Sequence, residues 1–103
     1  MESYNFVTAS DARLKTDFSP IPVDCLDLVR RVEPQQFRYR SDKTGQLRWG
    51  LRAQDVEAAG GPVTTAANGM KSLSLNDQLA VLWGAVRKLA NSEAAFGAAL
   101  EHE

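Results

Sequence analysis

The spacing of apolar positions divides the chain into segments of different period. Residues 4–9, Tyr-Asn-Phe-Val-Thr-Ala, are aromatic and β-branched and predict a short strand. Ser10-Asp11 interrupts it with residues that prefer turns and caps. Arg13 to Phe18 is mixed, and Ser19-Pro20-Ile21-Pro22 predicts a stiff, extended linker. From there Val23, Leu26 and Val29, flanked by Cys25, Leu28 and Val32, fall at helical spacing. Glu33-Pro34 ends that helix, because the residue before a proline avoids the helical region. Residues 36–40 and 47–51 each alternate polar with apolar, and Ser41 to Gly45 between them is a turn, so 36–51 predicts a β-hairpin. Ala53 to Ala59 predicts a short helix stopped by Gly60-Gly61-Pro62. A loop follows over 62–72, with a weak strand at Val63-Thr64-Thr65.

The last third has another character. Ser74-Leu75-Asn76-Asp77 has the form of a capping box with Asp in the last place, and no proline follows it. Leu75, Leu79, Leu82, Val86, Leu89, Glu93, Phe96 and Leu100 are spaced 4-3-4-3-4-3-4, a heptad pattern with one polar break at Glu93. A helix over 75–102, of ~28 residues, is ~42 Å long, more than a domain of this size needs for its own core. Its first half, 75–89, can pack on its own domain, or coil with copies of itself, or do both. Beyond Leu89 the Ala-rich segment predicts a projecting coil or a fraying end. The expected fold class is α+β: a small β-hairpin or sheet with short helices and a long C-terminal helix.

Composition narrows the chemistry. A chain of 103 residues allows one small domain. Such a domain buries roughly two-thirds of its unfolded surface, so help from oligomerisation fits. Lys and Arg number 12 against 13 Asp and Glu, a net charge of -1, which offers no electrostatic argument for nucleic acid or an anionic membrane. No apolar run approaches the ~20 residues of a membrane span. The single cysteine, Cys25, excludes an internal disulfide and a multi-cysteine zinc site, and reads as a small core hydrophobe. The single histidine, His102, argues with it against a His-based metal site or a Ser-His-Asp triad, and no cofactor is expected. Arg38, Arg40, Arg48 and Arg52 read as a solvated face of the hairpin. Phe37, Tyr39, Trp49 and Leu51 read as its core, and Trp83 as core or subunit contact.

Ser10-Asp11-Ala12-Arg13-Leu14-Lys15 resembles the S-D-x-R-L-K opening of the peptidase S74 family, the intramolecular chaperone domains at the C-termini of phage tail spikes and tail fibres. Four further pieces follow in the family's order: the helix at Asp24 to Val29; Val32 to Tyr39, similar to L-x-P-x-x-F-x-Y; Trp49 to Glu57, similar to G-F-I-A-Q-E-V-E; and Leu82 to Leu89, similar to the start of the last helix. Two positions depart from the pattern. Leu73 or Leu75 stands where the family often has Tyr, and Arg52 where it usually has an apolar β-branched residue. The resemblance implies a homotrimer that guides folding of an N-terminally attached fibre or spike in the host cytoplasm during virion assembly. It then releases itself by autoproteolysis. On this reading residues 1–9 are the end of a preceding fibre segment or a remnant of cloning, and residues 10–103 are the chaperone. The nucleophile maps onto Ser10 and the general base onto Lys15, with Asp11 and Arg13 as possible auxiliaries. The cut falls at Ala9–Ser10 or Ser10–Asp11. Leu75, Leu79, Leu82, Val86, Leu89 and Phe96 form the trimer seam.

On residue type alone, Lys15 is a solvated lysine and Ser10-Asp11 a turn or cap; the resemblance reverses both. A serine hydroxyl needs a base to become a nucleophile, and lysine accepts a proton only when neutral, a state favoured by burial and nearby cations. Arg13 is the local candidate cation. Asp11 and Asp17 can orient Lys15 or position Ser10, Asp17 reading more simply as a turn and surface charge. On a strand, Ser10 and Lys15 would lie about 16 Å apart and face opposite sides. On a helix they would be separated by about 500° of rotation. So either the chain bends between them, or Lys15 of a neighbouring copy serves Ser10. A second function class stays open: a trimerisation module that never cuts and remains at the fibre tip, which the presence of residues 1–9 keeps in play.

Overall fold

A computed structural model describes residues 7–101, apart from the side chains at 95, 96 and 98–101. The elements are a 3₁₀ turn at Ala12–Leu14, α1 Cys25–Arg31, β1 Gln35–Phe37, β2 Arg48–Gly50, α2 Ala53–Ala58, β3 Thr64–Thr65, β4 Lys71–Ser72 and α3 Leu75–Glu101. The class is α+β, with two small antiparallel two-stranded sheets and a long C-terminal helix.

The core is built where α1 lies against α3. Asp24 starts α1 as its cap, its carboxylate accepting the Asp27 N–H at 3.1 Å. Cys25, Leu28 and Val32, at intervals of three and four, turn one face of α1 onto Val81 and Ala85 of α3. Val56 of α2 completes the cluster. The helices approach closely because Gly84 carries no side chain: a Cβ there would sit 2.8 Å from the Cys25 sulfur. Cys25 is thus the small core residue its type predicts. Across the same interface Lys88 of α3 ion-pairs with Asp24, tying the cap of one helix to the flank of the other.

The hairpin forms, with a difference in its faces. Gln35 pairs with Gly50, Gln36 with Trp49 and Phe37 with Arg48. Paired residues share a face and neighbours along a strand do not. This register therefore puts Phe37 and Trp49 on opposite faces, so they cannot share a core. Phe37 is half-buried over Gly50, and Leu51 is partly buried against the core cluster. Trp49 is 84% exposed, its indole N–H donating to Gln36 Oε1, and Tyr39 is 56% exposed with its ring edge-on to Phe37. The expected strand near 63–65 is β3, and its partner β4 carries no sequence signal beyond Lys71, which donates to Glu57 of α2 and Thr65 of β3. The expected strand at 4–9 is not formed over residues 7–9, which have no regular structure, and residues 4–6 lie outside the described residues.

Helix α3 presents two faces. Gln78, Val81, Gly84, Ala85 and Lys88 face α1 and the loops. The heptad residues lie about 100° round the helix from them, and they stay in solvent: Leu75 is 82% exposed, Leu79 62%, Leu82 50%, Val86 63% and Leu89 54%. Own-domain packing and an uncovered seam therefore coexist on one helix. The Phe96 side chain and His102 lie outside the described residues. Among the described residues no helix is long and apolar enough to cross a membrane.

Candidate active site

The segment 10–15 folds around one carboxylate. Asp11 takes an extended backbone, and its side chain accepts the Arg13 N–H at 2.9 Å, so it caps the 3₁₀ turn that follows. The turn closes through Leu14 N–H to Asp11 O at 3.0 Å and Lys15 N–H to Ala12 O at 3.1 Å. The Arg13 guanidinium then folds back on the same carboxylate, with Nε 3.1 Å from Oδ1 and Nη2 2.8 Å from Oδ2, a forked pair. The turn reverses the Lys15 side chain towards Ser10, and Lys15 Nζ donates to Ser10 Oγ at 2.8 Å. The bend that the spacing demanded is thus present within one chain. Asp17, at φ +56°, a left-handed conformation that Asp tolerates, redirects the backbone into the proline linker.

The electrostatics follow from the fork. Hydrogen bonds from the Arg13 side chain, and then from its backbone, hold the Asp11 carboxyl below the usual 3.8, and Asp11 raises Arg13 in return. Arg13 is therefore committed to Asp11, and the pair presents little net charge to Lys15. Ser10, Asp11, Arg13 and Lys15 are all exposed, as are all described residues up to Pro20, so among the described residues no element covers the turn. Among the described residues no cluster of His, Cys, Asp and Glu could hold a metal.

In this contact the lysine Nζ–H donates to the hydroxyl. With Nζ neutral the same contact reverses: Ser10 Oγ–H donates to Nζ, which is the geometry of a general base beside its nucleophile. The 2.8 Å separation already lies within proton-transfer reach. The capping role of Asp11 has a sequence signal, an Asp two residues before the N–H it binds. The Asp24–Lys88 pair has none, because 64 residues separate its partners.

A family model described as Peptidase_S74, chaperone of endosialidase, matches residues 10–65. The match opens on Ser10, runs through the turn, α1, the hairpin and α2, and ends at β3, short of α3. No curated protein and no solved structure matches.

Proposed function

The chain belongs to the peptidase S74 family of endosialidase chaperones, and on that premise we propose that it is a C-terminal intramolecular chaperone which trimerises, guides the folding of an attached tail fibre or spike, and frees itself by cutting beside Ser10. The observation that carries the proteolytic part is the 2.8 Å contact between Lys15 Nζ and Ser10 Oγ at the first residue of the family match.

Neutral Lys15 takes the Ser10 Oγ proton as Oγ attacks the carbonyl carbon of Ala9. That attack closes a five-membered ring, whereas attack on the carbonyl of Ser10 itself would close a strained four-membered one, so the Ala9–Ser10 bond is favoured. The C–N bond breaks, Lys15 returns its proton to the departing Ser10 amine, and the acyl group of Ala9 is left as an ester on Oγ. Water then hydrolyses the ester, regenerating the hydroxyl and leaving a carboxylate on Ala9.

Chaperoning works by effective concentration. Three fibre ends held in one register pair intramolecularly, at an equivalent of about mM concentration for short links. Long-range β pairing is otherwise slow and exposes edges to aggregation. The exposed heptad stripe of α3 is the surface through which copies would join, and three as the number rests on the family resemblance. This work takes place in the host cytoplasm during virion assembly, and cleavage removes the chaperone from the mature virion.

The full exposure of the turn favours a second reading, in which the module clamps the trimer and stays at the fibre tip uncut. A denaturing mass spectrum separates the two. Cleavage yields a species lacking residues 1–9, or residues 1–10 if the second bond is cut, and a fully intact trimeric population supports the clamp.

A further inference from the structure

Beside the seam of α3 runs an apolar groove of about 300 Å³, lined by Leu28, Val29, Val32, Leu51, Gln78 and Leu82. It holds one misfit: the amide nitrogen of Gln78 is buried there without a hydrogen-bond partner, a costly state for a polar group. On the other side of the seam stands Trp83, 73% exposed, beside an open apolar hollow that it lines with Leu79, Leu82 and Val86. Gln78 immediately precedes the seam residue Leu79, and Trp83 immediately follows Leu82. At ~100° per residue they lie about 60° and 80° from the seam on opposite sides.

We infer that the groove receives the Trp83 indole of a second copy of this chain. The inference rests on the self-association proposed above and specifies how it is made. In a closed ring of three all helices run parallel, since rotation about the axis preserves their direction. Parallel helices in register set the residue before one seam position against the residue after the next seam position of the neighbour, so Gln78 meets the neighbour's Trp83. Helical side chains lean towards the N-terminus, which brings the indole back to the level of the groove. The ring covers Leu28, Val29 and Leu82. The Gln78 amide, turned over to present Oε1, accepts the indole N–H, a group that can only donate. Each copy carries the knob on one flank and the groove on the other, so the contact is heterologous and closes as a ring.

Two measurements test this. Gln78→Cys chains are mixed with Trp83→Cys chains and treated with a short bismaleimide; buried Cys25 stays protected, which the unmutated chain controls. Cross-links that join the two kinds of chain support the inference. Cross-links between two Trp83→Cys chains, or none in a mixture that light scattering shows to be trimeric, overturn it and leave trimerisation standing. A monomeric mixture overturns it only if the parent chain is also monomeric, and then the chaperone trimer falls as well. Because Trp83→Cys removes the very contact proposed, the second measurement keeps the residue. In Trp49→Phe only Trp83 emits, and assembly should shift its emission to the blue and cut acrylamide quenching several-fold relative to Leu82→Asp. Solvent-like emission from a Trp49→Phe trimer overturns the inference.

Discussion

Lys15 reaches Ser10, five positions back along the chain, because Asp11 caps the turn between them. The link is indirect. Asp11 touches neither Oγ nor Nζ in a hydrogen bond; it holds the Arg13 N–H and guanidinium, and the turn so fixed aims Lys15. The proposed nucleophile and base are thereby positioned by six consecutive residues, apart from the core that α1 and α3 form. What such a turn does not supply is cover from water, and in the proposed trimer a neighbouring copy would provide it. Cleavage would then report that assembly has succeeded.

Ser10→Ala is expected to stop cleavage outright while leaving the oligomer intact. Lys15→Arg should nearly do so, since a guanidinium does not give up its proton at accessible pH. Lys15→Ala should cut slowly and recover in part at high pH, as hydroxide replaces the base. Mass spectra of the three purified proteins over time decide the matter. Efficient cutting by Ser10→Ala removes the assignment.

Asp11→Ala should slow cleavage by roughly ten-fold, the range of one lost cap, and leave the melting temperature of the domain unmoved, because the turn buries none of its residues against the described core. Asp11→Asn, which can still cap, should recover most of the rate. The carboxyl is held below 3.8, so the folded state keeps it ionised and the turn's charged cap persists as pH falls until that depressed value is crossed. A rate for Asp11→Ala equal to that of the parent would show that the turn forms without its cap.

Leu82→Asp places a charge in the middle of the exposed stripe. The monomer fold should survive, with an unchanged circular dichroism spectrum, while light scattering reports a single chain. If cover from a neighbour is needed, the same variant stays uncut. A demonstrably monomeric variant that still cleaves at the parent rate would separate proteolysis from assembly.

Gly84→Ala sets two effects against each other. Alanine gains about 1 kcal/mol of helix propensity over glycine. Its Cβ, however, would stand 2.8 Å from the Cys25 sulfur and 3.1 Å from the Cys25 Cβ, in the closest part of the α1–α3 contact. Overpacking of this kind costs about 1–3 kcal/mol, so a net loss is expected in urea unfolding. Cys25→Ala in the same chain should return part of it, an interaction that a double-mutant cycle measures.

Acid should loosen the α1–α3 join at a definable point. A hydrogen bond from Lys88, with a second from the Asp27 N–H, lowers the Asp24 carboxyl from 3.8. A lowered carboxyl favours the folded state at pH above its unfolded value, and that contribution disappears as pH falls through the folded value. Melting temperatures of the parent and of Asp24→Asn should therefore differ at neutral pH and converge as the pH falls below 3.8 and through the depressed folded value. A gap that stays constant throughout that acid titration would mean the carboxylate charge contributes nothing.

The legible parts were those governed by local rules. The predicted helix over 75–102 agrees with the observed Leu75–Glu101 over every described residue, because heptad spacing, a Ser74 start and the absence of proline are all encoded within the segment. The helices α1 and α2 are bounded likewise by Pro34 and by Gly60-Gly61, and the Ser10–Lys15 segment was recognisable as a motif. The faces were another matter. Strict alternation in 36–40 and 47–51 placed Phe37 and Trp49 together, but one step of strand register decides which residues share a side, and register is fixed by the partner strand and by what lies beneath. The turn of Ala12–Leu14 depends on the fork of Arg13 onto Asp11, a contact that residue spacing permits without requiring.

Sequence by itself determined that α3 is long and amphipathic, that its apolar residues repeat in heptads, and that a serine and a lysine stand five apart. Only the tertiary structure decided that α1 takes the face of Val81 and Ala85 and leaves the heptad leucines in solvent. Periodicity says which residues of a helix share a face; which face is covered depends on the shape of the opposing surface. Here the notch at Gly84 admits Cys25 more closely than any leucine-bearing stripe could, so α1 docks there and the seam stays free for another chain.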